Sequence, residues 1–208
     1  MPVGDLRGLL PVSPDDLFDQ VRWYSDRTEA NLPDARVQAL VEMATSRINV
    51  ALRDHPRMYR RGTYNALANA ERIPLPYDSL RVRTVERDGE LLHQYTPFTA
   101  GSGDDVVDGW IDRGDCLEIT QPAVEAAEYK VGYHRAIPAP VVGGEANWVL
   151  DFFPDVYLYG TLVELATSIK DTENGFIWNN VFLQRIAALN LQGWDQNLGD
   201  SPTVRKAR

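Results

Sequence analysis

The chain has 208 residues, 44% hydrophobic and 25% charged, which suits a globular protein with a sizeable core. Its net charge of −9 makes it a poor general ligand for DNA or anionic membrane, because affinity for phosphates comes mainly from Lys and Arg. The single cysteine, Cys116, excludes an internal disulfide and every zinc site built on Cys pairs. No apolar run approaches the ~20 residues of a membrane span. Met1-Pro2-Val3-Gly4-Asp5-Leu6-Arg7 has no basic segment leading into an apolar one, so no secretory signal is expected and a cytosolic origin fits.

Four segments read as helices. Ser13-Pro14-Asp15-Asp16 combines an N-cap, a proline for the first helical position and two acids that complement the helix dipole. Leu17, Phe18, Val21 and Tyr24 follow on one face. The second helix runs from about Pro33 to Arg53, with Val37, Leu40, Val41, Ala44, Ile48 and Leu52 at i, i+3, i+4, i+7 spacing. His55-Pro56 ends it, because the residue before a proline disfavours helix.

The period then changes. Leu80–Val85 alternates like a strand, and Asp88-Gly89 precedes a second such run, Leu91–Tyr95, which signals a hairpin. Further strands are expected at Trp110-Ile111, Cys116–Thr120 and Glu128–Tyr133. A Pro/Gly-rich linker holding Pro138, Pro140, Gly143 and Gly144 leads back to helix. The third helix starts after Pro154-Asp155 and runs to about Lys170. The fourth spans about Phe176 to Leu191, and the short polar turn between them, Asp171–Gly175, makes the two antiparallel neighbours.

These elements predict an α+β fold. Helix pairs in 1–56 and 138–192 form a four-helix core, an antiparallel β-rich domain at 57–137 is inserted between them, and 193–208 is a flexible C-terminal tail. Three cations, Arg205, Lys206 and Arg208, oppose one acid, Asp200, in the last ten residues, so the tail is basic on an acidic body.

The search for chemistry is negative. There is no Walker A loop, G-x-G-x-x-G, H-E-x-x-H or G-x-S-x-G. His55, His93 and His134 are far apart, and solvated or singly bonded histidines account for them better than a metal site. The acidic stretch 104–115 fails the EF-hand spacing, since Val106 stands where the second ligand belongs and no Glu closes the loop. Glu164 could serve as a glycosidase acid only with a second carboxylate, which the sequence does not indicate. Trp110, Tyr133 and Trp148, read here as strand residues, suit a core or interface better than a sugar-stacking platform. No catalytic, metal-binding or cofactor-binding residue and no cofactor is expected.

The order of motifs resembles the head-to-tail adaptor proteins of tailed bacteriophages and gene-transfer particles. Ser46-Arg47-Ile48-Asn49-Val50-Ala51-Leu52-Arg53 is similar to the end of the family's second helix. Ile73-Pro74-Leu75-Pro76-Tyr77-Asp78-Ser79-Leu80-Arg81 is similar to the entry into its first strand, with the aromatic residue and the Asp exchanged. Gly114–Ile119 and Tyr129–His134 resemble its later strands. The most distinctive run, Asn147 through Pro154-Asp155-Val156-Tyr157-Leu158-Tyr159-Gly160 to Leu165, resembles its N-x-[LI]-L-x-x-x-P-D-L-Y-L-Y-G motif. Asp171 and Trp178 match in place, and the likeness covers about 31–190. The stretch from Thr99 to Asp112 departs from it, replacing a shorter loop.

The resemblance implies a non-enzymatic structural adaptor. It would dock as a ring, typically of twelve copies, on the capsid portal and join it to a tail, nozzle or stopper protein. DNA would pass through the channel without specific binding, and no membrane would be involved. The protein would be made in the bacterial host cytoplasm and reside at the head-tail junction of the virion. Portal contact is expected from Trp194, Arg205, Lys206 and Arg208 in the C-terminal extension. A tail-facing loop is expected at Asp104, Asp105, Asp108 and Trp110. Two other classes stay open at this point: a virion-associated hydrolase of cell-wall glycans using Glu164 or the 104–115 loop, and a β-domain binding module.

Overall fold

The computed structural model describes residues 11, 13–96 and 108–198. The chain divides into two units, one formed by 1–52 with 137–208 and the other by 53–136.

The first unit is helical. Helix α1 (Pro14–Tyr24) begins as its sequence predicts: the Ser13 hydroxyl accepts the Asp16 N–H at 3.1 Å, and Leu17, Phe18 and Val21 are buried. Helix α2 (Asp34–Leu52) buries all six residues of the expected stripe, and Thr45 and Asn49 with them. Asn49 is the polar exception with a purpose. Its Nδ2 donates to the Ile137 carbonyl at 3.0 Å and its Oδ1 accepts the Ile137 N–H at 2.8 Å. One side chain thus satisfies both backbone groups of Ile137, as buried groups require.

Helix α3 (Trp148–Phe152) corrects an expectation, because Trp148 opens a helix and is not in a strand. Asn147 caps it, accepting the N–H groups of Val149 and Leu150, while its Nδ2 donates to the Pro138 carbonyl and the Tyr157 hydroxyl. Helix α4 (Pro154–Ile169) is apolar nearly all round and touches α1, α2, α3 and α5, so it is the centre of the unit. Gly160 lets these helices approach: a Cβ there would stand 3.2 Å from the Phe182 ring and 3.5 Å from Ala44. Lys170, at φ 60°, reverses the chain. Helix α5 (Thr172–Leu198) starts four residues earlier than expected, because Asp171 accepts the Asn174 N–H and serves as its cap. The Asn174 bonds hold the Asp171 carboxyl below its ordinary range.

The second unit holds two sheets. One has the order β1-β8-β3-β4, built from β1 (Tyr59–Ala66), β3 (Ser79–Arg87), β4 (Glu90–Leu91) and β8 (Ala127–Arg135). The other has the order β2-β7-β6-β5, built from β2 (Arg72–Pro74), β5 (His93–Tyr95), β6 (Gly109–Asp112) and β7 (Cys116–Ile119). Strands β1 and β2 escaped the sequence reading. Asp88 and Gly89, at φ 50° and 90°, make the predicted hairpin turn, with Arg87 opposite Glu90. Pairing is antiparallel except between β5 and β6, which run parallel. Ile73, Val82, Val85, Trp110, Leu117, Tyr129 and Val131 form one core shared by both sheets.

Candidate interaction surfaces

The described residues contain no group of three or more His, Cys, Asp or Glu side chains placed to hold a metal ion. Each histidine has a local partner. His55 Nδ1 accepts the Arg57 N–H, His93 meets Tyr95 edge-on, and His134 meets Tyr59 edge-on. Glu164 is 13% exposed and pairs with Arg47 at 3.1 Å, while that guanidinium sits 5.7 Å from the centre of the Phe182 ring. This arrangement ties α2, α4 and α5 together with a cation as the carboxylate's partner, where a glycosidase acid would need a second carboxylate opposite it.

The aromatic residues do not form a stacking platform. Trp110 is 1% exposed and Tyr133 is 9% exposed, both within the core of the second unit. Trp148 belongs to the helical unit and stacks edge-on against Phe153. Of the four residues assigned to a tail-facing loop, Asp104 and Asp105 lie outside the described residues. Asp108 pairs with Arg87 at the start of β6, and Trp110 is a core residue of that strand, so its ring is not at the surface. Asp112 accepts the Gly114 N–H at 2.8 Å and shapes the turn to β7. Of the residues assigned to portal contact, Trp194 falls within α5, and Arg205, Lys206 and Arg208 lie outside the described residues.

Three surfaces stand out. The first is on α5, where Phe176, Ile177, Leu183 and Leu191 are all exposed although the opposite face buries Phe182, Ile186 and Leu189. A helix with apolar groups on both sides has a face suited to a partner. Beside Phe176, an open recess of about 540 Å³ lies between the end of α4 and the start of α5.

The second surface is basic and belongs to the sheet unit. Asp54 accepts from Arg83 at 2.6 Å and from Arg81 at 3.3 Å. Arg53 stands 3.8 Å from Asp54, and Arg61 lies 3.9 Å from Glu86. His134, buried beneath this cluster, has its Nδ1 3.8 Å from Asp54 and without a hydrogen-bond partner. Burial, and after it the Arg83 charge, holds the His134 pKa below its ordinary value.

The third surface is acidic and belongs to the helical unit. A cleft of about 230 Å³ is lined by Asp15, Asp19, Glu29 and Asp34, with Arg22 as its cation. Arg22 pairs with Asp19 at 3.3 Å and with Asp34, and donates from Nε to the Leu32 carbonyl.

Exposed apolar and charged surfaces of this kind fit a protein that works by contact. A family model described as SU10 adaptor protein matches residues 13–206. The chain belongs to the SU10 adaptor protein family. It is a phage head-to-tail adaptor with a structural role. Membership implies that the adaptor meets portal and tail proteins and is located in the virion. No helix among the described residues is long and apolar enough to cross a membrane. No curated protein matches the adaptor's sequence.

The apolar face of α5 and the Arg cluster around Asp54 were missed by sequence reasoning. The first had a signal: Phe176, Leu183 and Leu191 recur near multiples of the helical period, on the side opposite Phe182, Ile186 and Leu189. The second had only a hint, the density of arginine at 53–61 and 81–83.

Proposed function

We propose that this adaptor docks as a ring, of twelve copies, on the capsid portal and joins it to a tail or stopper protein around the DNA channel. The observation that carries the reading is the family match across 13–206. The exposed apolar residues of α5 support it, because a ring subunit must keep surface in reserve for its neighbours and for the portal. The acidic composition supports it from the other side, since a channel lined by such a protein lets DNA slide past without gripping it.

In this reading Trp194 and the basic residues Arg205, Lys206 and Arg208 extend along the portal. The charge of Arg205, Lys206 and Arg208 adds both association rate and affinity. Asp104, Asp105 and Asp108, with the β6 strand anchored by Trp110, form the end that receives the tail.

The test is co-sedimentation with the portal ring from the same genome over a salt series. Replacing Arg205, Lys206 and Arg208 together by Ala should weaken binding about tenfold at low salt and by less as salt rises. Equal affinity of the variant and the parent at every salt concentration would remove the tail from the interface.

A further inference from the structure

The ring reading requires two different patches per subunit, each fitting the other on the next copy. Charge on this chain is sorted in a way that supplies them. In an acidic protein, Arg53, Arg61, Arg81 and Arg83 gather on the sheet unit, paired with Asp54 and Glu86. Asp54 fixes Arg81 and Arg83 in place, while Arg53 and Arg61 are exposed and hold their carboxylates only at 3.8 and 3.9 Å. The buried His134 lies beneath with an unpartnered Nδ1, and burial, followed by the Arg83 charge, lowers its pKa.

In the helical unit the cleft at α1 has the opposite balance. Four carboxylates surround one cation, Arg22, and the space of about 230 Å³ is concave. All four carboxylates are exposed. A recess of that size and sign suits a guanidinium, which a carboxylate can bind through two parallel hydrogen bonds.

We infer that the Arg53/Arg61 surface of one copy docks onto the acidic α1 cleft of the next copy, making the charge-steered part of the ring contact. The inference rests on the ring reading. Nucleic acid is the less suitable occupant, because Asp54 and Glu86 sit inside the basic patch and the chain as a whole carries −9. A second copy meets the patch with a complementary surface of its own.

The test uses the full chain and two charge-reversal variants at exposed positions, Arg53→Glu with Arg61→Glu, and Asp19→Lys with Glu29→Lys. Circular dichroism and thermal melts confirm that each is folded. Native mass and sedimentation velocity then report association, with sodium chloride raised from about 50 to about 500 mM to shorten the screening length several-fold. The parent chain should form multimers that weaken at least about tenfold across that range. Each variant alone should lose them. Mixed one to one, the variants should regain multimers of alternating copies, because both contacts between unlike copies bring opposite charges together: the native basic patch on the native acidic cleft, and the reversed patch on the reversed cleft.

Folded variants that multimerise like the parent would overturn the proposed contact and leave the ring reading standing. Variants that fail alone and fail to associate when mixed would overturn the match between these two surfaces. Duplex DNA binding by the parent, lost in the Arg variant while self-association is unchanged, would reassign the basic patch to nucleic acid. A parent chain that never associates, alone or with the portal, would overturn the ring reading and this inference together.

Discussion

Removing the Asn49 side chain should cost far more than its place in a helix suggests. Asn49 lies in the apolar stripe of α2, yet its amide carries both backbone bonds of Ile137, at 3.0 and 2.8 Å. Asn49→Ala leaves a buried N–H and a buried C=O without partners. Each orphaned group costs roughly 1–3 kcal/mol, so the expected loss is about 3 kcal/mol. Equilibrium unfolding in urea should show the midpoint falling by roughly 1–3 M, given slopes of about 1–3 kcal/mol/M. Hydrogen exchange at the Ile137 amide should accelerate in parallel. Asn190→Ala is the control: it removes one long, solvent-exposed bond at 3.3 Å, from the half-buried Asn190 to the Ala51 carbonyl, and should cost less than about 0.5 kcal/mol. If Asn49→Ala matched that control, with Ile137 exchange unchanged, the reasoning that Asn49 anchors the returning chain would be wrong.

Other expectations concern the sheet unit. A Cβ at Gly132 would stand 2.2 Å from the Tyr59 hydroxyl and 2.4 Å from Thr84 Oγ1, so Gly132→Ala should destabilise by about 1–3 kcal/mol, and an unchanged melting temperature would contradict this. Trp110→Ala empties a core position that is 1% exposed and should cost about 3–5 kcal/mol, read by loss of near-ultraviolet dichroism; a native spectrum and melt would show that the ring is dispensable. The His134 pKa is lowered in the folded chain, so below about 6.5 the unfolded chain takes up this proton first. Stability should therefore fall as pH drops through the window from there to the folded-state value, and His134→Gln should flatten that part of the profile. Parallel profiles for the two proteins would exclude His134 as the source.

The parts of the fold that were legible in the sequence are those with local causes. Ser13-Pro14 starts α1, Pro154 starts α4 and Asp88-Gly89 turns a hairpin, each through chemistry confined to a few neighbours. Strand β1 was not legible because Tyr59–Ala66 has no apolar alternation. It is an edge strand, and it is specified by pairing with β8 some seventy residues away. The parallel β5–β6 pair is likewise a matter of topology, which no dipeptide announces. Trp148, expected in a strand, opens a helix because the Asn147 side chain accepts the Val149 and Leu150 N–H groups.

The interaction surfaces divide in the same way. The family resemblance was carried by runs such as Pro154–Gly160, and the match over 13–206 bears it out. The Asp54 cluster could not be read ahead of the structure, because β3 and β8 had to bring Arg81, Arg83 and His134 to Asp54 first. Trp110 shows the opposite error. Beside acidic residues it reads as a surface aromatic, but in β6 it points into the shared core.

Native mass of the purified adaptor, alone and mixed with the portal ring from the same genome, decides whether it assembles on the portal. The portal complex should be heavier by a defined multiple, twelve copies, of the 23.4 kDa chain. A portal ring that keeps its own mass beside a well-folded adaptor, at every salt concentration, would contradict it.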